Sequence, residues 1–158
     1  MFDISLEDCD MTALLVQLAL FSITIEQEIA TKKYWIGLND IIHNFNKTVN
    51  AKPSTATTEM KSAIAKIRSM QIKHVDSLVL IYSEKRIKLA SDYVDFLESI
   101  KIDSDDFFKT DFPIKKQKNK IENIQKKYQY FYEQHKDIDT EQQVLVAYLK
   151  ENYNIDSK

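Results

Sequence analysis

The sequence predicts an all-α protein. The expected architecture is an elongated antiparallel bundle of two very long helices, about 5–50 and 55–102, with two shorter ones, about 113–136 and 140–153. Three observations carry this. The 158-residue chain holds one glycine and two prolines, residue types that turns and strand ends ordinarily use freely. Apolar residues recur at steps of three and four along most of its length, the period of a helix face. The stretches that interrupt this spacing are few: 50–55, 103–113 and 137–139. A single domain of this size buries a core without metals or disulfides.

The first helix is expected to start at Ser5, where Ser5-Leu-Glu-Asp8 fits an Asp-ended capping box. Its stripe runs through Met11, Leu14, Leu18, Phe21, Ile25, Ile29, Ile36, Ile42 and Phe45 to Val49. Pro53 ends it, and Ser54 or Thr55 can cap the next helix. From Thr57 to about Ile102 there is neither Gly nor Pro, and one stripe runs from Met60 to Ile100, weakening at Gln71 and near Lys85. At 1.5 Å per residue this helix would be roughly 65–70 Å long. Pro113 opens the third helix, with Ile121, Ile124, Tyr128, Phe131 and His135 on one side. Asp137-Ile-Asp139 ends it, and Thr140-Glu-Gln-Gln143 reads as a capping box for the fourth.

Short loops make successive helices antiparallel neighbours. Folding the first two about residue 52 sets Phe21–Ile25 level with residues 79–83, with Leu78–Tyr82 as the apolar partners. The third and fourth helices return to the same level, so four helices converge on one core. Residues of about 30–75 are left as a protruding two-helix arm within the single domain. Its surplus apolar residues are Tyr34, Trp35, Leu38, Ile41, Phe45, Met70 and Ile72, which are expected to be exposed and to bind another protein or a second copy. Trp35 has two competing roles, in the hairpin core or as an interface anchor.

Trp35-Ile36-Gly37 resembles, over three residues, the Trp-x-Gly motif at the turn of small secreted helical hairpins of the WXG type. That resemblance implies a turn at Gly37. The apolar spacing instead continues through Gly37 in phase, and a better turn follows at Pro53, so the residues themselves point to a kink or a close contact inside one helix.

Chemistry-bearing patterns are sparse. Asp40-Ile-Ile-His43 is the one carboxylate–histidine pair at i,i+3, and a helical di-iron site needs two such pairs with further glutamates. No metal and no cofactor are expected. Arg68-x5-His74 is similar, over seven residues, to the Arg-x(4–6)-His signature of the HEPN ribonucleases. The resemblance implies RNA cleavage by Arg68 and His74, although Ser69 stands where that family favours Asn, Asp or His. On a continuous helix the two side chains would point about 120° apart. Cys9 lies among acidic residues, which raise a thiol's pKa, and His74 with Ser77 lacks a third group to orient the imidazole.

Net charge is −2, with 22 basic residues of which only Arg68 and Arg86 are arginine. Scarce arginine argues against nucleic acid as a partner. The run Lys115-Lys116-Gln-Lys118-Asn-Lys120 with Lys126-Lys127, beside Tyr128, Tyr130 and Tyr132, is the feature that would favour it; the lysines read as a solvated face. The start carries Asp3, Glu7, Asp8 and Asp10 where a signal peptide has basic residues. Met11–Ile25 is apolar but falls short of the ~20 residues a membrane span needs. The expected compartment is the cytoplasm, or outside it by a leaderless route, with no transmembrane helix. The functional expectation is a non-enzymatic helical interaction or self-assembling protein of the chaperone, adaptor, immunity or secretion-system kind. A HEPN-like RNA-cleaving or RNA-binding domain and a membrane-active translocated subunit are the alternatives.

Overall fold

The computed structural model describes residues 11–107 and 114–155, with side chains over 25–52, 54–100 and 118–155. Every regular element among them is helical: α1 (Met11–Ala51), a single 3-10 turn (Pro53–Thr55), α2 (Ala56–Arg68), α3 (Ser77–Phe107) and α4 (Ile114–Tyr153). The all-α expectation holds. The expected capping box at Ser5 and Pro113 itself lie outside the described residues.

α1 runs unbroken for 41 residues and passes straight through Gly37, which has no positive φ. The Trp-x-Gly stretch is therefore neither a turn nor a helix end. Gly37 is a contact point: a Cβ built there would lie 2.9 Å from the terminal methyl of Met70. The approach is by a side chain rather than by another backbone. At Pro53 the chain turns as expected. Thr55, however, donates its hydroxyl backwards to the Lys52 carbonyl at 2.8 Å and makes no side-chain cap for α2.

The helix expected over 57–102 is two helices. α2 ends at Arg68, and residues 69–76 reverse the chain. Ser69 spends both its N–H and its hydroxyl on α2's last carbonyls, bonding Ala65 and Lys66 through the backbone and Lys66 through Oγ. His74 then takes a left-handed φ of 65°, and Val75 N–H closes a tight turn on the Ile72 carbonyl. Asp76 starts α3 as its N-cap, with Oδ1 accepting from Leu78 N–H at 2.7 Å. Polar Gln71, Lys73 and His74, together with this cap, outweigh the absence of Gly and Pro.

The two helices expected over 113–136 and 140–153 are one, the 40-residue α4. Ile138 is buried in the core, and Asp139 is held by Arg86 of α3 at 3.2 Å. Thr140 donates its hydroxyl one turn back to the Lys136 carbonyl at 3.0 Å, so its side chain serves a continuing helix instead of opening a new one.

These corrections change the register. α2 packs antiparallel on both α1 and α3, so α3 runs parallel to α1; α4 then packs antiparallel on α3. Trp35 stacks on Tyr82 with ring centroids 5.9 Å apart, Tyr34 and Ser83 share a hydrogen bond of 2.7 Å, and Asp76 N–H donates to Thr31 Oγ1 at 3.0 Å. The expected level of Phe21–Ile25 with 79–83 is thereby replaced by residues 31–35 against 76–83. Residues 30–75 are not a two-helix arm, because α3 lies against them. Tyr34, Trp35 and Leu38, expected on the surface, are 5%, 4% and 0% exposed and belong to the core with Ile64, Ile67, Val79, Ile87, Leu145 and Leu149. Of the competing roles for Trp35, the side chain occupies the core position.

Asp76 joins this core at its end. The side chain is 5% exposed, and Oδ2 accepts from Tyr148 at 2.9 Å and from Tyr153 at 2.6 Å. Burial alone would push the carboxyl pKa up. The hydrogen bonds from Tyr153, Leu78 N–H, Tyr148 and Val79 N–H together outweigh it and hold the pKa below the ordinary 3.8. A lowered native pKa adds stability that is present above the unfolded value and is lost as pH falls through the native one. Asp76→Asn is therefore expected to cost about 2–3 kcal/mol at neutral pH. In chemical denaturation the gap between variant and parent should close as pH drops below 3.8. A gap that stays constant down to acid pH would contradict this.

Gly37→Ala is expected to raise stability by up to about 1 kcal/mol, because helix propensity improves and the flexible end of Met70 can move aside. Gly37→Leu is expected to lower the thermal midpoint, since its branch must enter space that Met70 fills. The pair of melting curves checks both signs.

Candidate functional site

α1 and α2 form one wall of an open cleft, and α3 and α4 form the other. It encloses about 750 Å³. Protein interiors pack without voids of this size, and ligand sites commonly span about 300–1,000 Å³. Two features make room. α2 is only 13 residues long, and both α2 and α3 present alanine to the gap, Ala63 and Ala90.

The floor is aliphatic: Ile64, Ile67 and Ile87, all buried. Ile42 and Phe45 of α1 and Met60 of α2 form one side. Tyr93 of α3 with Tyr128, Phe131 and Tyr132 of α4 form the other. The aromatics hold each other edge to face: Tyr93 lies 5.1 Å from Phe131, and Phe96, just behind, lies 5.1 Å from Tyr128. Burial and the neighbouring Tyr128 push the Tyr93 pKa up, so its hydroxyl stays neutral at physiological pH. Polar groups ring one end, where Arg86 pairs with Asp139 and His135 Nε2 stands 3.7 Å from Asp139 Oδ2.

The cleft wall continues outward as exposed apolar surface. Tyr128 and Tyr132 are 43% and 68% exposed; Tyr130, 53% exposed, does not line the cleft. Aromatic surface of this extent is characteristic of interaction sites.

The residues singled out from sequence divide. Phe45 lines the cleft. Ile41 and Met70 are half-buried against the core, and Ile72 is exposed in the 69–76 reversal. Arg68 is exposed at the last position of α2, and His74 follows in the reversal, its Nε2 3.4 Å from Glu26. The helix break places them on different elements rather than on one continuous helix, and neither lines the cleft. Among the described residues no group of three or more His, Cys, Asp or Glu stands where it could hold a metal, and no helix is long and apolar enough to cross a membrane. Sequence reasoning placed Tyr128 and Phe131 on the inward side of their helix. It gave no sign that the surface they face is open.

Tyr82 lies in the adjoining core, packed on Trp35 with the Arg86 guanidinium 5.5 Å from its ring centre. Its buried hydroxyl has no hydrogen-bond partner among the described residues. Burial pushes its pKa up to about 12, with Arg86 opposing, so it holds its proton and is no general base at neutral pH. An unpartnered buried hydroxyl costs roughly 1–3 kcal/mol. Tyr82→Phe is accordingly expected to raise unfolding free energy by about 1 kcal/mol, measurable by urea titration. Destabilisation would mean the hydroxyl has a partner.

Comparison of the chain with protein-family models, with curated proteins and with solved structures gives no match.

Proposed function

We propose that this protein is a non-enzymatic helical interaction protein, and that the α1–α2/α3–α4 cleft receives an apolar helical element of a protein partner. The observation that carries the reading is the cleft itself: about 750 Å³ lined by aliphatic and aromatic side chains, opening onto exposed Tyr128 and Tyr132. A groove of that composition suits the apolar face of an amphipathic helix, whose anchors recur at i, i+3, i+4 and i+7. Polar groups at its end, Arg86, His135, Asp139 and Gln142, suit the polar rim of such an interface. The titratable groups buried in the core support the same view. Asp76 is fully engaged by hydrogen bonds and Tyr82 keeps its proton, so neither offers a reactive group. Chaperone, adaptor, immunity and secretion-system components all act through such surfaces.

The test uses a cleft-lining residue whose exposure spares the fold. Tyr132→Arg is expected to abolish capture of partners from cells expressing the tagged protein, with the thermal midpoint within about 2 °C of the parent. Unchanged capture would overturn the cleft as the binding site. Cleavage of RNA by the purified chain, lost in His74→Ala, would overturn the non-enzymatic reading.

A further inference from the structure

The cleft has a polar end and an aromatic end. On α4 its lining runs from Gln142 to Tyr128 at helical spacing, about 21 Å of one helix face. Arg86, Ala90 and Tyr93, at i, i+4 and i+7, present one face of α3 to the same gap. At one end Arg86 meets Asp139 at 3.2 Å. Two turns farther along, Tyr93 meets Phe131 with ring centroids 5.1 Å apart. Asn39 of α1 stands level with Arg86, because Trp35 and Tyr82, one turn earlier on each helix, are in contact.

The polar end holds more donors than acceptors. The Arg86 side chain is only 16% exposed, and among the described residues it makes one hydrogen bond, from Nη2 to Asp139 Oδ1. A guanidinium carries five N–H donors and no acceptor. Asn39 and Gln142 are half-buried on the lining, and among the described residues neither side-chain amide is hydrogen-bonded. Asp139 is the one carboxylate on the lining, and it already serves Arg86, with His135 Nε2 3.7 Å away.

A ligand head that answers this arrangement is an acceptor with a single negative charge. A carboxylate fits the planar guanidinium fork, whereas a doubly charged head would set two charges against Asp139. Ring faces on the aromatic wall can hold a cation, but a cation would face Arg86 and find no free carboxylate on the lining. Width selects the rest of the molecule. About 750 Å³ spread over about 21 Å leaves a gap roughly 7 Å across. A helix, about 10–12 Å across with its side chains, can seat only its apolar side chains there. A single alkyl chain can lie wholly inside.

We propose that the cleft binds a slender aliphatic monocarboxylate. Its head sits on the spare N–H groups of Arg86 and the amides of Asn39 and Gln142, and its chain runs past Ala90 towards Tyr93 and Tyr128. The bound acid fills the space that a partner's apolar side chains would enter, so acid and partner exclude each other. This rests on the reading of the cleft as an interaction groove and adds a small-molecule control to it.

Isothermal titration calorimetry with dodecanoate tests the site. The parent is expected to bind one dodecanoate with a Kd on the order of 10 μM. 1-Dodecanol and dodecyltrimethylammonium, alike in chain, should bind at least about tenfold more weakly. Arg86→Gln should weaken dodecanoate at least about tenfold and leave dodecanol unchanged. Gln142→Glu keeps the Arg86–Asp139 pair and should weaken dodecanoate to a similar degree, by placing a second carboxylate at the head. It carries the test if circular dichroism shows that Arg86→Gln is unfolded. Ala63→Phe fills the gap and should abolish binding of acid and alcohol alike. Dodecanoate at about 100 μM should also release proteins captured by the parent. No binding of dodecanoate at that concentration, tighter binding of the ammonium, a Gln142→Glu variant that binds dodecanoate like the parent, or capture indifferent to saturating dodecanoate would each overturn the proposal. A chain that binds no dodecanoate yet loses captured proteins on Tyr132→Arg would sink the acid alone and leave the interaction reading standing.

Discussion

The buried carboxylate of Asp76 is the constraint on which the rest of the structure depends. One side chain caps α3 through Oδ1 and receives two α4 hydroxyls on Oδ2, while its own N–H is tied to Thr31 of α1. A charge so placed is tolerable only because every part of it is bonded. The three long helices are thus brought to a common level at one residue, in a loop whose backbone must adopt a left-handed turn at His74 to deliver it. Where the helices are pinned determines where they diverge. α1 and α4 meet near Asp76, and the space between the two hairpins opens farther along, as the cleft.

The period of the apolar residues makes helices legible, and the scarcity of glycine and proline makes long helices legible. Breaks inside a polar-tolerant run are harder to see. The reversal at 69–76 uses neither residue type. It depends on a serine that folds back on its own helix, on a histidine at positive φ, and on an aspartate whose value as a cap is realised only when two distant tyrosines satisfy its other oxygen. The Asp76-Ser77 pair before an apolar run was a readable local signal. The long-range bonds that made it decisive were not readable. The converse error at 137–140 has the same origin: Asp139 and Thr140 look like loop residues until Arg86 and the continuing helix account for them.

The candidate site was legible to the same degree as the chain reversal. Phe45 and the Tyr128–Phe131 stripe were visible as apolar faces. Their exposure follows from the shortness of α2, and hence from the break at residue 69. Tyr34, Trp35 and Leu38 moved from expected surface to core for the identical reason, since α3 returns alongside α1 and covers them. A single local misreading exchanged the inside and outside of the molecule over some forty residues, while the helix content stayed right.

The order of the helices carries a kinetic consequence. α1 packs on α2, α2 on α3 and α3 on α4, so the principal contacts close short loops, the kind of topology that folds quickly. The bonds from Tyr148 and Tyr153 to Asp76 are the exception, spanning 72 and 77 residues. They can form only after the last turn of α4 has come back past α3. Chain assembly therefore ends at the aspartate, whose carboxylate gains its last two hydrogen-bond donors when the final helix arrives.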